Sequence, residues 1–485
     1  MILEKSGMLR FKKTALLFCC LISAAQLFPS ITYAAESSLP KILGRAVFPD
    51  MEKTYTAMTT DADGNVYVCH LTESADLNAS KNSFGPKHNG NWDIFISRLT
   101  SDLVVTATAY LGGSDQDRMS SIIIDSSGDL IITGYTASEN FPVTHGTRNI
   151  PFDDRGSIFI TRISSDLKKI KASTLLGQGE GLAVVSTDRQ SYIIAGRTLD
   201  ESLPQTEDSY DSTLNGSVDA FILEIDADLS EIQRATYLGG ARIDWINALA
   251  INNAGEIVVG GLTASENFPV TADSYQSDGT DKVSNAFAAV FSPDLKRLQA
   301  SSIIGGSRHD QILDIVIDSK NSILMTGQTD STLFPTTMTI IDPQNYSSKI
   351  FLLRMSNHLE KIIDSRVIDG DAHEAGYSLA VDTPGNIYLA AETSSKTFST
   401  LFGDKSSNDY KGGEHDIVIF KFTSNFNPLA LHFIGGVKDD RNPVLAITSQ
   451  HKLIIAGNSN SPEIISESEG YHFFIQFPAV NLLSP

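Results

Sequence analysis

Cysteine and basic residues are scarce in this chain of 485 residues. Two of its three cysteines, Cys19 and Cys20, lie in the first 35 residues, so Cys69 stands alone in the rest. A single cysteine cannot form an internal disulfide bond, and stability must come from a packed core. Lys and Arg number 37 against 58 Asp and Glu, a formal net charge of −21. Since no basic stripe interrupts this acidic chain, nucleic acids and anionic membrane surfaces are disfavoured as partners.

The linear signatures of common enzymes are also missing. The sequence has no HExxH, GxSxG, GxxxxGK[ST] or CxxC motif. These would indicate a zinc peptidase, an α/β-hydrolase, a P-loop protein or a thiol-redox protein. Their absence leaves open only catalysis by residues that are dispersed along the chain.

The first 35 residues have the pattern of a secretory signal. Lys5, Arg10, Lys12 and Lys13 form a basic start, residues 14–28 are mainly apolar, and Thr32-Tyr33-Ala34 offers a small-residue cleavage site. The apolar run is short for a membrane-spanning helix, and polar sequence follows it. The sequence therefore predicts a signal peptide over residues 1–35, export to the periplasm or the outside of the cell, and no stable membrane span once the signal is removed.

Two long stretches of the sequence are nearly the same. Residues 110–144 read YLGGSDQDRMSSIIIDSSGDLIITGYTASENFPVT, and residues 237–271 read YLGGARIDWINALAINNAGEIVVGGLTASENFPVT. Weaker copies fill the rest of the chain, which is the signature of a repeat architecture. When the first residue of the Gly-Gly pair, or its equivalent, serves as the mark, the copies fall at Phe48, Gly112, Gly177, Gly239, Gly305, Asp369 and Gly435.

Each copy has the pattern of four short strands. Two apolar runs flank a tight polar turn, as in residues 122–134, and a third run follows a variable polar loop, as in residues 157–163. A fourth run ends in the next Gly-Gly pair. The runs are rich in β-branched residues and lack helical periodicity. The sequence therefore predicts an all-β fold, a seven-bladed β-propeller with four-stranded blades.

The two ends of the chain complement each other. The last copy stops after its third run, at Phe477, and an isolated strand-like piece, KILGRAV, stands at residues 41–47 before the first copy. We predict that this N-terminal strand completes the seventh blade, because closure removes free sheet edges. The predicted propeller domain spans residues 41–477, residues 478–485 form a C-terminal tail, and the protein is expected to be a monomer.

The shared pattern YLGG…(A/I)xDxxGxxxxxGxTxSxxFPxT resembles the seven-bladed β-propeller repeat (SBBP repeat) of bacterial secreted and surface proteins. The resemblance spans essentially the whole chain after the signal and is strongest at residues 110–144 and 237–271. It implies the propeller fold. Members of that family mostly have no assigned activity, so the resemblance implies little about chemistry.

Two recurring motifs have a structural interpretation. Asp-x-x-Gly turns, or Asn-x-x-Gly at 252–255, join the first and second predicted strands, where Asp or Asn caps the turn and Gly supplies a positive φ. They resemble calcium loops but lack the distant bidentate Glu of such a loop. Phe-Pro pairs, as at 141–142 and 268–269, are predicted to anchor a loop in the core between blades.

A carboxylate stands five residues after the mark in most copies. These residues are Asp117, Asp244, Asp310, Glu374 and Asp440, and Glu180 lies close to that place in the third copy. If each begins an inner strand, the acids surround the mouth of a central channel and could bind a divalent cation such as calcium. Alternatively, each accepts N–H hydrogen bonds from its own loop, as one device repeated in every blade. No other cofactor is indicated.

Residues that break the repeat near the Gly-Gly pairs are the candidates for a ligand site. They are Arg242, Asp244 and Trp245 in the fourth copy, Arg308, His309 and Asp310 in the fifth, His373 and Glu374 in the sixth, and Asp440 and Arg441 in the seventh. Trp245 can stack on a sugar ring or a cation, or pack half-buried against its neighbours. His309 and His373 can bind a metal jointly or stay solvated.

The sequence favours a non-catalytic function, a scaffold that binds a protein or a glycan through the Gly-Gly loops. The alternative is a propeller hydrolase or lyase that uses the carboxylates at the channel mouth, with or without a divalent cation. A third interpretation is a purely structural surface-layer component. An enzyme would concentrate acids and histidines in one deep pocket, whereas a binding module would present a broader patch of aromatic and charged residues.

Overall fold

Short apolar runs separated by polar turns form antiparallel β-strands through the whole described part of the chain. The computed structural model describes residues 44–48, 56–144, 152, 155–201, 203, 206, 208–277, 283–338, 347–398, 401, 410, 412–461 and 471–478. These residues belong to one compact unit, residues 38–484. The predicted signal peptide lies outside the described residues, as do residues 479–485 of the predicted tail. No helix in the described ranges is long and apolar enough to cross a membrane.

The first strand, β1 (Gly44–Phe48), does not belong to the first complete sheet. That sheet is a four-stranded antiparallel meander in chain order. Its strands are β2 (Thr56–Thr60), β3 (Val66–Thr72), β4 (Asp93–Leu99) and β5 (Val105–Leu111). The four predicted runs of the first copy therefore form one sheet.

The second and third copies differ from this arrangement because one strand serves both. Their strands are β6 (Asp117–Ile124), β7 (Leu130–Thr136), β8 (Ser157–Ile163), β9 (Ile170–Ser186), β10 (Ser191–Thr198), β11 (Asp219–Asp226) and β12 (Ile232–Leu238). The first half of β9 pairs with β8 and the second half with β10, which merges the seven strands into one sheet.

The third copy therefore has no separate loop at Gly177, the residue equivalent to the first glycine of the Gly-Gly pair. Glu180 follows Gly177 by three residues, whereas Asp117 follows Gly112 by five, so too little chain is left for a separate loop. Gly177 and Gly179 have φ angles of 105° and 141°, which only glycine adopts readily, and they let the strand continue through the bend.

The fourth, fifth and sixth copies again form four-stranded antiparallel sheets in chain order. Their strands are β13 (Asp244–Ile251), β14 (Ile257–Thr263), β15 (Asn285–Phe291), β16 (Leu298–Ile304), β17 (Asp310–Ile317), β18 (Ile323–Thr329), β19 (Lys349–Met355), β20 (Ile362–Ile368), β21 (Glu374–Val381), β22 (Ile387–Thr393), β23 (Asp416–Phe422) and β24 (Pro428–Ile434).

The last sheet joins the two ends of the chain. It consists of β25 (Asp440–Ile447), β26 (Lys452–Ser459), β27 (Tyr471–Pro478) and, beside β27, the N-terminal strand β1. Gly44 pairs with Gln476 and Phe48 with His472 in an antiparallel register. The predicted pairing between the N-terminal strand and the third strand of the last copy is confirmed over residues 44–47 and extends to Phe48, whereas residues 41–43 of the predicted strand lie outside the described residues.

The core lies between successive sheets. Ala195 and Ile222 of one sheet pack in one cluster with Val259 and Phe287 of the next. Strands buried on both faces explain the continuous apolar runs of the sequence. The innermost strands contact one another in the order β2, β6, β9, β13, β17, β21 and β25, and β25 also contacts β2. The protein is thus an all-β chain of repeated four-stranded antiparallel sheets, the kind of sheet from which β-propellers are built.

The Asp-x-x-Gly motifs form tight turns, as predicted. The Asp125 Oδ1 atom accepts hydrogen bonds from the N–H groups of Ser127 and Asp129 at 2.8 and 2.9 Å. Gly128 has a φ angle of 79°. The carboxylate is therefore occupied by its own turn, which is the capping role expected of Asp at this position.

Candidate functional site

One end of every sheet carries the loops that join its fourth strand to the next first strand, and its second strand to its third. We call this end the Gly-Gly face, because the Gly-Gly pairs lie in the first kind of loop. All the predicted ligand and metal residues lie on this face, at the starts of β6, β13, β17, β21 and β25 or just before them. The meander topology therefore places them at one end of neighbouring inner strands.

The predicted metal-binding acids are buried in their own loops. We call Asp117, Asp244, Asp310, Glu374 and Asp440 the loop acids; each side chain is at most 2% exposed. The N–H of the second loop glycine donates to each carboxylate, for example Gly113 to Asp117 Oδ2 at 2.6 Å and Gly306 to Asp310 Oδ2 at 2.9 Å. The same bond recurs in the other copies, from Gly240, Gly370 and Gly436.

A serine of the T-x-S motif completes each cap. Ser331 Oγ donates to Asp310 Oδ2 at 2.8 Å and accepts a hydrogen bond from the Arg308 N–H at 2.9 Å. Thr329 Oγ1 donates to the other carboxylate oxygen of Asp310. The equivalent serines are Ser138, Ser265, Ser395 and Ser461. The Thr-x-Ser spacing thus places two hydroxyl groups against the loop acid. This agrees with the architectural interpretation of these carboxylates.

Burial also changes the protonation of the loop acids. Loss of solvent contact raises the pKa of Asp117 to about 6, of Asp310 to about 7 and of Glu374 to about 8, against the lowering effect of their hydrogen bonds. In the part of the chain that the structure describes, no metal-sized group of three ligand atoms includes a loop acid. The geometry therefore does not assemble them around one cation.

The predicted histidines lie at two different sheet interfaces. His309 Nδ1 bonds to Ser284 Oγ, and His373 Nδ1 accepts a hydrogen bond from the Ser348 N–H at 3.1 Å. Each serine stands just before the third strand of the preceding sheet. The two histidines thus have equivalent positions in successive copies, and the structure gives each its own partner rather than a shared metal site.

Arg242 and Arg308 are exposed side chains on the Gly-Gly face. The Arg242 Nη2 atom lies 3.5 Å from Glu266 Oε1, and both side chains are about half exposed, so the pair contributes little to stability. Both arginines stand in loops held by the serine caps, since their N–H groups donate to Ser265 and Ser331. They present positive charge on the Gly-Gly face of an acidic protein.

Trp245 forms a cluster with residues of the third copy. The Arg197 guanidinium carbon lies 5.3 Å from the centroid of the half-buried Trp245 ring. The Arg197 side chain also donates two hydrogen bonds to Glu180 Oε2, at 2.7 and 3.2 Å. Glu180 is the acid of the copy that lacks a separate Gly-Gly loop. Where the loop is lost, the acid therefore holds an arginine over a tryptophan instead of capping glycines.

Apolar residues are exposed around this cluster and along the same face. Leu199 follows Arg197 by two residues, and Ile243 precedes Trp245 by two; their exposed fractions are 45% and 39%. Most other large apolar residues that are exposed in the described ranges also lie in loops of this face: Val143, Val270, Val283, Leu333 and Val437. An apolar, aromatic and charged surface of this kind is typical of a binding face.

A second polar cluster lies between the sixth and seventh copies and includes the predicted residue Arg441. The Arg441 guanidinium lies 3.4 to 3.6 Å from carboxylate oxygens of Glu392, Glu414 and Asp439. The Asp439 Oδ1 atom accepts a hydrogen bond from the Glu414 N–H at 2.7 Å. Burial raises the pKa of Asp439, but this bond and the Arg441 charge outweigh it and leave that pKa below its usual value.

Three members of this cluster escaped the sequence analysis. Glu392 lies near the end of a second strand, and Glu414 and His415 precede a third strand. None of the three lies in a Gly-Gly loop. The signal was available, because His415 takes the place of Ser284 and Ser348, and Asp439 the place of His309 and His373. Alignment of both faces of each interface, rather than of the Gly-Gly loops alone, would have paired these positions.

Several solved structures are distantly similar to this chain. No family model matches this sequence, and no curated protein matches it. Similar solved structures include the WD40 β-propeller domain of Doa1 (8% identity, 90% of this chain and 97% of that chain covered, TM-score 0.45). Others are a protein of unknown function from Dyadobacter fermentans (8%, 90% and 99%, TM-score 0.44) and an ulvan lyase bound to a GlcA–Rha3S saccharide (8%, 90% and 95%, TM-score 0.45). The resemblance to the SBBP repeat remains an expectation from the sequence.

Proposed function

We propose that the chain is a seven-bladed β-propeller whose ring is closed by the N-terminal strand. Two observations support this architecture. The inner strands follow one another in contact from β2 to β25, and β25 contacts β2. The strand β1 lies beside β27, where it supplies the fourth strand that the last copy lacks. A ring of this kind leaves no exposed inner edge between its first and last sheets.

On this architecture we propose that the protein is an exported, non-catalytic scaffold that binds a glycan or a protein through its Gly-Gly face. The observation that carries the proposal is the cluster of Glu180, Arg197 and Trp245. Its members occupy repeat positions, but the acid, Glu180, binds Arg197 instead of capping a loop. A half-exposed tryptophan beside an arginine suits a sugar ring or a protein side chain, which binds by stacking and by hydrogen bonds to the guanidinium.

The alternative functions have less support. A hydrolase or lyase would need carboxylates that reach a substrate, whereas the loop acids are at most 2% exposed and bonded to their own loops. A purely structural surface-layer component would not need a tryptophan and an arginine held together at the rim of the Gly-Gly face. The apolar residues exposed on that face also favour a binding partner.

Fluorescence provides a direct test, because the chain has two tryptophans. In a Trp92→Phe variant, Trp245 is the sole emitter, and its emission should change on titration with panels of soluble polysaccharides and candidate proteins. A ligand found in this way should bind Trp245→Ala at least about tenfold more weakly, a loss of about 1.4 kcal/mol.

Trp92→Ala provides the matched control. Trp92 is also half-buried on the Gly-Gly face, but it lies in the first copy, next to β4. The control should bind like the unaltered protein. Equal affinity of Trp245→Ala and Trp92→Ala for every ligand found would show that the cluster at Trp245 is not the binding site.

A further inference from the structure

The cluster between the sixth and seventh copies contains the elements of a metal site. Glu414, His415 and Asp439 each offer one ligand atom, and these atoms lie within 4.8 Å of one another. Bonds of about 2.0–2.2 Å place the ligand atoms of a tetrahedral ion about 3.3–3.6 Å apart, so small rotations of these side chains would bring the three atoms to one ion. No other group of three or more potential ligands in the described residues meets this criterion.

The backbone fixes the segments that carry these side chains. The Asp440 N–H donates to the His415 carbonyl at 2.8 Å, and the Glu414 N–H donates to Asp439 Oδ1 at 2.7 Å. The two chain segments before β23 and β25 are therefore held side by side. The Asp439 Oδ2 atom is directed toward Arg441, on the same side as the carboxylate of Glu414.

The imidazole of His415 is incompletely bonded. Its Nδ1 atom is covered by protein and has no hydrogen-bond partner among the described residues. Its Nε2 atom lies 3.7 Å from Glu392 Oε1, which is longer than a hydrogen bond. A covered nitrogen that lacks a donor or acceptor costs free energy, and a bound ion would remove that cost.

The charge of the cluster also favours a cation. Glu392, Glu414 and Asp439 surround the single guanidinium of Arg441, which leaves an excess of negative charge in a chain whose net charge is −21. Glu414 is 82% exposed, so an ion can enter from solvent and keep an open coordination position. An excess of carboxylates around a single arginine attracts a second cation.

We propose that Glu414, His415 and Asp439 bind a divalent transition-metal ion, with zinc as the first candidate. One imidazole and two carboxylates suit zinc or manganese, whereas calcium prefers sites made of oxygen alone. Glu392 lies beside His415 and can orient its ring, a partner that metal-bound histidines usually have. Arg441 competes with the metal for the same carboxylates. The site is independent of Trp245 and of the proposed ligand.

Titration of the EDTA-treated, dialysed full-length protein with ZnCl₂ in a calorimeter tests the proposal. We expect one equivalent of Zn²⁺ to bind, and binding to weaken by about 10- to 100-fold in His415→Gln and in Glu414→Gln. Glu414 is so exposed that its substitution should not affect folding. Glu266→Gln, an exposed acid elsewhere on the Gly-Gly face, should bind Zn²⁺ like the unaltered protein.

A second variant distinguishes a metal site from a cluster whose carboxylates are held by arginine alone. Arg441→Gln removes the competing cation and should strengthen Zn²⁺ binding, and the Co²⁺ form should show a visible spectrum that is lost in His415→Gln. The proposal is overturned if Zn²⁺ binds no more strongly to the unaltered protein than to His415→Gln. It is also overturned if Arg441→Gln leaves the affinity unchanged or weaker, because Arg441 would then complete the cluster by itself.

Discussion

Arg197 lies over the ring of Trp245, with its guanidinium carbon 5.3 Å from the ring centroid. The two residues belong to neighbouring copies, on β10 and β13, so the contact crosses from one set of strands to the next. Glu180 holds the arginine in place through two hydrogen bonds. The indole is thereby supported by a charge that is itself paired, which pre-organises an aromatic surface for a ligand.

The first prediction concerns the coupling between these two residues. A double-mutant cycle with Arg197→Ala and Trp245→Ala should give a coupling free energy of about 0.5–1 kcal/mol, the usual value for a cation–π pair with partial exposure. Urea unfolding followed by circular dichroism measures it. Arg297→Ala with Trp245→Ala is the control and should show additive effects, because Arg297 is exposed in a turn between a third and a fourth strand, at the opposite end of its sheet. Additivity in both cycles would mean that Arg197 does not stabilise the ring.

The second prediction concerns the serine caps. Ser331→Ala removes a donor to Asp310 and an acceptor for the Arg308 N–H, so two buried or partly buried groups lose a partner. We expect a loss of about 1–3 kcal/mol in the free energy of unfolding. Ser127→Ala, at an exposed position in a tight turn, should change it by less than about 0.5 kcal/mol. Similar effects of both substitutions would exclude a structural role for the T-x-S motif.

Much of the fold can be predicted from the sequence because the same turns and apolar runs recur in successive copies. Asp125 and Gly128 indicate a tight turn by side-chain capping and positive φ, and both roles appear in the structure. The apolar runs define strands that are buried on both faces. The missing fourth run of the last copy indicates where the N-terminal strand must pair, as it does at Gly44–Gln476.

Other features depend on geometry that no pattern of hydrophobicity encodes. The hairpins between third and fourth strands have a buried leucine or phenylalanine with positive φ, for example Leu167 at 57° and Phe426 at 61°, where glycine or asparagine would be expected. Burial of the side chain offsets the strain of that conformation. The merging of two copies through β9 depends on a loop two residues shorter around Gly177, and the charge cluster at Arg441 depends on residues far apart in sequence.

The third prediction separates two reasons for glycine in the repeat. A Cβ atom on Gly112 would lie 2.2 Å from Asp93 Oδ1 and 2.8 Å from Asp117 Oδ2, and both carboxylates are buried. A Cβ atom on Gly128 would have nothing within 4 Å, but its φ angle is 79°. We expect Gly128→Ala to cost about 1–2 kcal/mol for its conformation alone and Gly112→Ala to cost more. Thermal or urea unfolding decides, and an equal or smaller loss for Gly112→Ala would contradict the close approach.

The fourth prediction is a pH dependence that arises from Asp310. Burial, with a smaller contribution from the charge of Asp330, raises its pKa to about 7, so the folded state binds the proton more tightly than the unfolded state. Stability from this group is therefore present at low pH and is lost as pH rises from about 4, the ordinary value for Asp, to about 7. The free energy of unfolding of the unaltered protein, relative to Asp310→Asn, should fall over this range.

Urea titrations at several pH values give this difference, and Ser127→Ala, which adds or removes no titratable group, provides the control. The difference between the unaltered protein and Ser127→Ala should stay nearly constant from pH 4 to about 7. A difference for Asp310→Asn that rises with pH would show that its hydrogen bonds, rather than burial, dominate the protonation of this loop acid.

The last prediction concerns the junction between the two ends of the chain. The strand β1 pairs with β27 over Gly44–Phe48, so its removal exposes a sheet edge and takes a strand from the last sheet. A chain that begins at Pro49 should unfold at a lower temperature than one that begins at Gly44. Hydrogen exchange should lose protection first in β27, and β25 should follow, because it packs against both β26 and β2. Protection in β14 and β15, which lie together in a different sheet, should change least. If the two chains have equal midpoints and equal protection in β27, the last sheet is complete without β1, and the proposed closure of the ring by the N-terminal strand is wrong.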